Sequence, residues 1–198
     1  DLTKKLYPAL DGLILAIEKK ADSLSGTVKT GRTHLMDAMP IDFSEELRAW
    51  SSQLNSSKEM LSILEKKLLE LPQGGTAVGS GINAHKQFAK CFVQEISKLS
   101  GSGYKFVVSK NFYHDLSAQD CSVQLSGELK NLALILMKIS NDLRWMNSGP
   151  LAGLAEIELK ALQPGSSIMP GKVNPVIPEA VAMASADVIG NDVSITVA

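Results

Sequence analysis

Apolar residues recur at steps of three and four along most of this chain, the spacing that places side chains on one face of an α-helix. Leu2, Leu6, Leu10, Leu13, Ile17, Ala21 and Leu24 predict a first helix ending near Gly26. Phe43, Leu47, Trp50, Leu54, Leu61, Leu64, Leu68 and Leu71 predict a second, closed by Pro72 and then Gly74 and Gly75. At 3.6 residues per turn it covers about seven or eight turns. A shorter helix is expected over 84–99. The most regular stripe follows at Leu125, Leu129, Leu132, Leu136, Ile139, Leu143 and Met146. A last helix is expected to start around Pro178, because proline suits a first helical turn, and to run through Ile189. No segment alternates with period two for long enough to argue a strand. The pattern therefore predicts an all-α fold, a bundle of long, nearly parallel helices whose side chains fill holes on their neighbours. Helices this long, with little loop to cover them, leave apolar stripes over, and such a bundle completes itself by oligomerising.

Composition narrows the function classes. With 20 basic and 21 acidic side chains there is no polycationic face, so no nucleic acid and no anionic membrane surface is expected as a partner. Cys91 and Cys121 are too few for a disulfide framework and lie in helical pattern, which suits a reducing compartment. No run approaches the roughly 18 uninterrupted apolar residues of a membrane span. One compact unit is the default for 198 residues. The chain opens at Asp1 already in helical pattern, so it is expected to be a piece of a longer protein.

The polar chemistry gathers where the helical pattern breaks. Lys29-Thr30-Gly31-Arg32-Thr33-His34-Leu35-Met36-Asp37-Ala38-Met39-Pro40 sets charged and hydrogen-bonding side chains between a glycine and a proline. A lone loop histidine such as His34 is usually inert. Gln163-Pro164-Gly165-Ser166-Ser167-Ile168-Met169-Pro170-Gly171-Lys172-Val173-Asn174-Pro175 holds two glycines and three prolines and cannot be helix. Its Lys172 cation, Asn174 amide, Ser166 and Ser167 hydroxyls and backbone N–H groups form a kit for handling a carboxylate. A flexible Gly-Ser turn is the plain alternative, although a linker has no reason to hold Ile168, Met169 and Val173.

Gly165 to Asn174 resembles the signature loop of the fumarase/aspartase superfamily. Gly31-Arg32-Thr33-His34, Gly74-Gly75-Thr76-Ala77-Val78-Gly79, and Asn141-Asp142-Leu143-Arg144-Trp145-Met146 with Ser148-Gly149-Pro150 resemble further family segments, in family order. The resemblance spans essentially all of residues 1–198 and implies the family's central helical bundle domain, with the N- and C-terminal domains absent. It also implies a homotetramer around long helices, with active sites shared by three subunits, a small dicarboxylate substrate (fumarate or malate), and an anti-elimination giving fumarate. By position, Ser166 would be the base that removes a proton next to a carboxylate. Lys172, Asn174, Ser167 and Thr33 would bind substrate and hold the charge of the doubly negative aci-carboxylate that proton removal leaves. Glu179, near the start of the last helix, would pair with His34, fixing the imidazole to handle the water gained or lost. No cofactor is implied, and no metal-ligand spacing is present.

Within the superfamily, Met169-Pro170-Gly171-Lys172-Val173-Asn174-Pro175 resembles the fumarase and aspartase branches. Val176-Ile177-Pro178-Glu179 is similar to aspartases and to one bacterial subgroup of class II fumarases. Thr33 to Ala38, Arg144-Trp145-Met146 and Ser148-Gly149-Pro150-Leu151 favour that fumarase subgroup. Asn111 and Asp120 fall where fumarases carry an asparagine and an aspartate, but Tyr113-His114-Asp115 departs from the family's aromatic-Glu-Ala run and leaves His114 without a role there. His85 reads as a surface residue at a helix start. Fumarate hydration is the expected activity, with ammonia release from aspartate as the alternative and an inactive structural descendant as the second. The expected compartment is a cytoplasm, or an organelle matrix in a eukaryote. The 198 residues alone are expected to turn over little or nothing.

Overall fold

The computed structural model describes residues 1–101 and 103–198. Its long elements are the helices α1 (Tyr7–Leu24), α2 (Phe43–Leu68), α4 (Phe88–Leu99), α6 (Asp120–Met146) and α7 (Val176–Val197), joined by the short helices α3 (Thr76–Gly79) and α5 (Phe112–Ser117). A wider π-type turn at Leu2–Leu6 leads into α1. Each apolar stripe in the sequence became a helix, so the all-α class holds, although the second helix ends at Leu68 and leaves Leu71, expected in it, outside. The last helix runs eight residues past its expected end at Ile189, to Val197.

Contacts cluster into two units, Asp1–Lys58 with Leu129–Ala198, and Glu59–Glu128. In the first, Leu10 and Ala21 of α1, Phe43, Leu47, Trp50 and Leu54 of α2, and Leu132, Ala133, Ile139 and Met146 of α6 are buried. In the second, Leu61 and Leu64 of α2 and Val93 of α4 are buried. All but Ala133 and Val93 are positions of the apolar stripes, and their removal from water is the main stabilising term of either unit.

Two small sheets join the helices, where no strand was expected. In the second unit, β3 (Glu70–Leu71) runs parallel to β4 (Val107–Val108). In the first, β1 (Val28–Thr33) and β2 (Met36–Asp42) form an antiparallel hairpin. The hairpin escapes a period-two reading because its register shifts, from Thr30 opposite Pro40 to Arg32 opposite Asp37, so that Ala38 and Met39 together oppose Gly31. Gly31 is required there: a Cβ would lie 2.7 Å from the Met39 carbonyl oxygen. Pro40 is tolerated because a two-stranded ribbon is all edge, with no further strand to receive its missing N–H.

Among the described residues, α7 is the one helix long and apolar enough to cross a membrane. It also carries Glu179, Asp187 and Asp192, and the buried Asp192 carboxylate meets Lys130 of α6 at 2.5 Å. Apolar side chains nevertheless stay exposed on opposite sides of it. Ile177, Val188 and Ile195 form one stripe at 100° per residue, and Met183, Val193 and Val197 form another.

Candidate active site

The signature loop is an ordered, closed turn. Gly165 N donates to Lys172 O at 2.8 Å, Lys172 N to Met169 O at 3.1 Å, and the Asn174 side-chain amide to Gly165 O at 3.2 Å. These bonds tie both ends of the segment together across the prolines. Within it Ser166 Oγ accepts two backbone N–H groups, from Ile168 at 3.2 Å and Met169 at 3.1 Å. Donors aimed at a hydroxyl oxygen stabilise it when it carries negative charge, which is what a serine acting as a base needs. Ser166 is half-buried and Ser167 exposed.

Lys172, Asn174 and Glu179 line one cavity of about 470 Å³ together with Asn141, Arg144 and Trp145 of α6. Glu179 sits in the first turn of α7, where the N-terminal end of the helix dipole favours a carboxylate. Arg144 supplies this cavity with a second cation beside Lys172, which with the one carboxylate of Glu179 leaves a net positive lining suited to an anion. The family segment around Arg144 was legible in the sequence, but its place beside Lys172 was not.

Thr33 and His34 are presented elsewhere in the same unit. Thr33 ends β1 opposite Met36, which leaves His34 and Leu35 as a two-residue turn. Both have left-handed backbones, with φ of 52° and 62°, as a tight hairpin of this length demands. Non-glycine residues held there cost of order 1–3 kcal/mol each, and such strain persists only where surrounding contacts impose it. His34 lines a separate cavity of about 590 Å³. Among the described residues, no hydrogen bond or ion pair joins His34 to Glu179 within one chain. Trp145 borders both cavities.

A charge cluster that the sequence did not disclose lies under the hairpin. Glu156 Oε1 accepts from Arg32 Nη1 at 2.5 Å, and Oε2 accepts from Lys29 Nζ at 3.0 Å. Lys29 also meets Glu46 of α2 at 2.5 Å and stands 4.8 Å from the Phe43 ring centroid. Burial by itself would raise the Glu156 carboxyl, but the hydrogen bonds from Arg32 and Lys29 outweigh it and hold the group below the ordinary glutamate range. The bond to Glu156 in turn raises Arg32. The one sequence signal for Glu156 is an isolated acid in the otherwise uncharged stretch Ser148 to Ile157.

In the second unit, His114 Nε2 lies 2.9 Å from Asp120 and Nδ1 lies 3.1 Å from Asp115. Asp115 also accepts from the Ser109 hydroxyl. The departure from the family's aromatic-Glu-Ala run thus places an imidazole between two carboxylates at the junction of α5 and α6. No cluster of three metal-binding side chains occurs among the described residues.

Comparison with known proteins identifies the family. Residues 1–190 match a family described as "Lyase". A class II fumarate hydratase of Pseudomonas aeruginosa is 54% identical over 198 residues, covering 100% of this chain and 43% of that protein. One from Xylella fastidiosa is 56% identical over 194 residues, covering 98% of this chain and 41% of that protein. The crystal structure of a recombinant class II fumarase from Schistosoma mansoni overlays with a TM-score of 0.95 at 34% identity, covering 100% of this chain and 44% of that one. That of a Brucella melitensis fumarate lyase:delta crystallin bound to cobalt gives 0.91 at 42% identity, covering 97% and 41%. The chain therefore spans about two fifths of the length of these relatives. A match over nearly every residue, a shared backbone and an intact signature loop place the chain in this lyase family, among relatives that are class II fumarate hydratases.

Proposed function

We propose that the complete protein containing this chain hydrates fumarate to (S)-malate, reversibly and by anti addition. The observation that carries the reading is the closed Gly165–Asn174 turn, which directs two backbone N–H groups at Ser166 Oγ and sets Lys172 and Asn174 in a cavity with Arg144. Malate presents a C–H next to a carboxylate. Ser166, as its alkoxide, takes that proton, and the electrons pass into the adjacent carboxylate, which becomes a doubly negative aci-carboxylate. Lys172, Asn174, Ser167 and Thr33 bind the two carboxylates and hold the developing charge, which is the larger energetic task. His34, oriented by Glu179 and protonated, then gives its proton to the departing hydroxyl, which leaves as water. The fumarate hydratase relatives, 54% and 56% identical, support this reading over the aspartase one.

His34 and Glu179 line separate cavities in one chain, so their pairing is assigned to different copies. The exposed apolar stripes on opposite sides of α7 support such an assembly, since apolar stripes on a helix are ordinarily covered by a packing partner. A homotetramer around these helices, with each site drawn from three subunits, satisfies both requirements. The 198-residue chain alone is then expected to show little or no turnover.

The deciding experiment is an absorbance assay of the complete protein with fumarate and malate, beside an ammonia assay with aspartate. Fumarate turnover that falls by about 10³-fold or more in Ser166→Ala supports the reading, given the size of typical proton-transfer contributions. Ammonia release without fumarate hydration would move the protein to the aspartase branch. Unchanged turnover in Ser166→Ala would remove the serine from its role.

A further inference from the structure

The hairpin tip that carries Thr33 and His34 could close in two registers. Continued regularly from the pair Thr30 and Pro40, the strands would set Thr33 opposite Asp37 and leave a three-residue turn. The observed shift instead sets Arg32 opposite Asp37 and Thr33 opposite Met36, and only then is His34 the first residue of a two-residue left-handed turn. The tip is exposed from Thr33 to Met36.

What lies beneath it supplies the restraint. Lys29 and Arg32 are three positions apart, which in a flat strand would send them to opposite sides. A bulge sharpens the local twist, and here both reach one carboxylate, that of Glu156, which is 13% exposed and has a separate oxygen for each. Arg32 also lies 3.7 Å from Asp37, its partner in the shifted register. Glu156 itself is held by its backbone N–H, which donates to Met146 O at the end of α6 at 2.8 Å.

We infer that Glu156 is a positioning residue: by holding Arg32 and Lys29 together it fixes the bulged register in which the hairpin presents Thr33 and His34. The inference rests on the assignment of those two residues to the substrate site. Glu156 touches no reacting atom in this role and acts through the backbone of β1.

The test uses the complete protein and the variants Glu156→Gln, Arg32→Lys, His34→Asn and the Glu156→Gln/His34→Asn pair. Amide exchange at 33–36 is expected to speed up by about tenfold or more in Glu156→Gln, with α2 and α6 exchanging as in wild type, because only the tip loses its restraint. Arg32→Lys keeps the charge but loses the guanidinium fork, and is expected to show a smaller change in the same direction. Fumarate turnover should fall by at least about tenfold in Glu156→Gln, yet by a clearly smaller factor when His34 is already asparagine, since only the part acting through Thr33 is then left, the non-additivity expected of one residue acting through others. Unchanged exchange at the tip, or losses that simply multiply in the double variant, would overturn the inference. If His34→Asn retains full turnover, the assignment of His34 fails instead, and the exchange measurement still decides the role of Glu156.

Discussion

Gly165 and Asn174 close the signature loop against each other: the Asn174 amide donates to the Gly165 carbonyl, and a Cβ on Gly165 would lie 2.6 Å from Asn174 Oδ1. Gly165→Ala is therefore expected to push Asn174 out of place rather than to unfold a helix. The expected outcome in the complete protein is a loss of at least about 2 kcal/mol of transition-state stabilisation in kcat/KM, with an unfolding midpoint within a few degrees of wild type. Steady-state kinetics and a thermal melt on one preparation check it. A large drop in melting temperature with kcat/KM preserved would show the glycine to be structural only.

His114 gives a pH dependence with a definite sign. Its hydrogen bond to Asp120 raises the imidazole above the ordinary 6.5, helped by the charges of Asp115 and Asp120 against the opposing effect of desolvation. Lys67 and Glu70 share its cavity and bring one charge of each sign. A raised histidine stabilises the fold fully below its unfolded pKa, and that contribution is lost as pH climbs through the higher folded value. The melting temperature of wild type should therefore exceed that of His114→Asn near pH 6, and the gap should shrink as pH climbs above the ordinary 6.5 and through the raised folded value. A gap that stays constant or widens with rising pH would contradict the clamp.

The exposed stripes of α7 predict a dependence of assembly on apolar surface. Met183 and Val193, 68% and 60% exposed in one chain, are expected to be covered between copies. Substituting either by lysine should lower the solution mass of the complete protein, read by sedimentation, and with it fumarate turnover, because each burial forgone is worth about 1.5–3 kcal/mol and a buried charge costs more. Wild-type mass for both variants would place the interface elsewhere.

Local spacing was enough to find the five long helices and the loop, though not the short helices α3 and α5. A three-to-four step in apolar residues has one good solution, an amphipathic helix, and the prolines and glycines of 163–175 exclude helix there wherever the rest of the chain goes. The kit of Ser166, Lys172 and Asn174 was legible for the same reason, being contiguous. The hairpin was not, because its bulge destroys the alternation that would reveal a strand, and its pairing is decided by contacts outside it. Nor was Glu156, which is 124 positions from Arg32 and owes its importance to folding that brings the two together. His114 had no role until α5 and α6 brought Asp115 and Asp120 to its two nitrogens. The sequence by itself determined the helices and the chemistry of one continuous loop, since neighbouring residues impose those through steric and periodic constraints. Tertiary structure alone decided the strand register and the charge pairs, because the free energy of a buried ion depends on which distant group meets it.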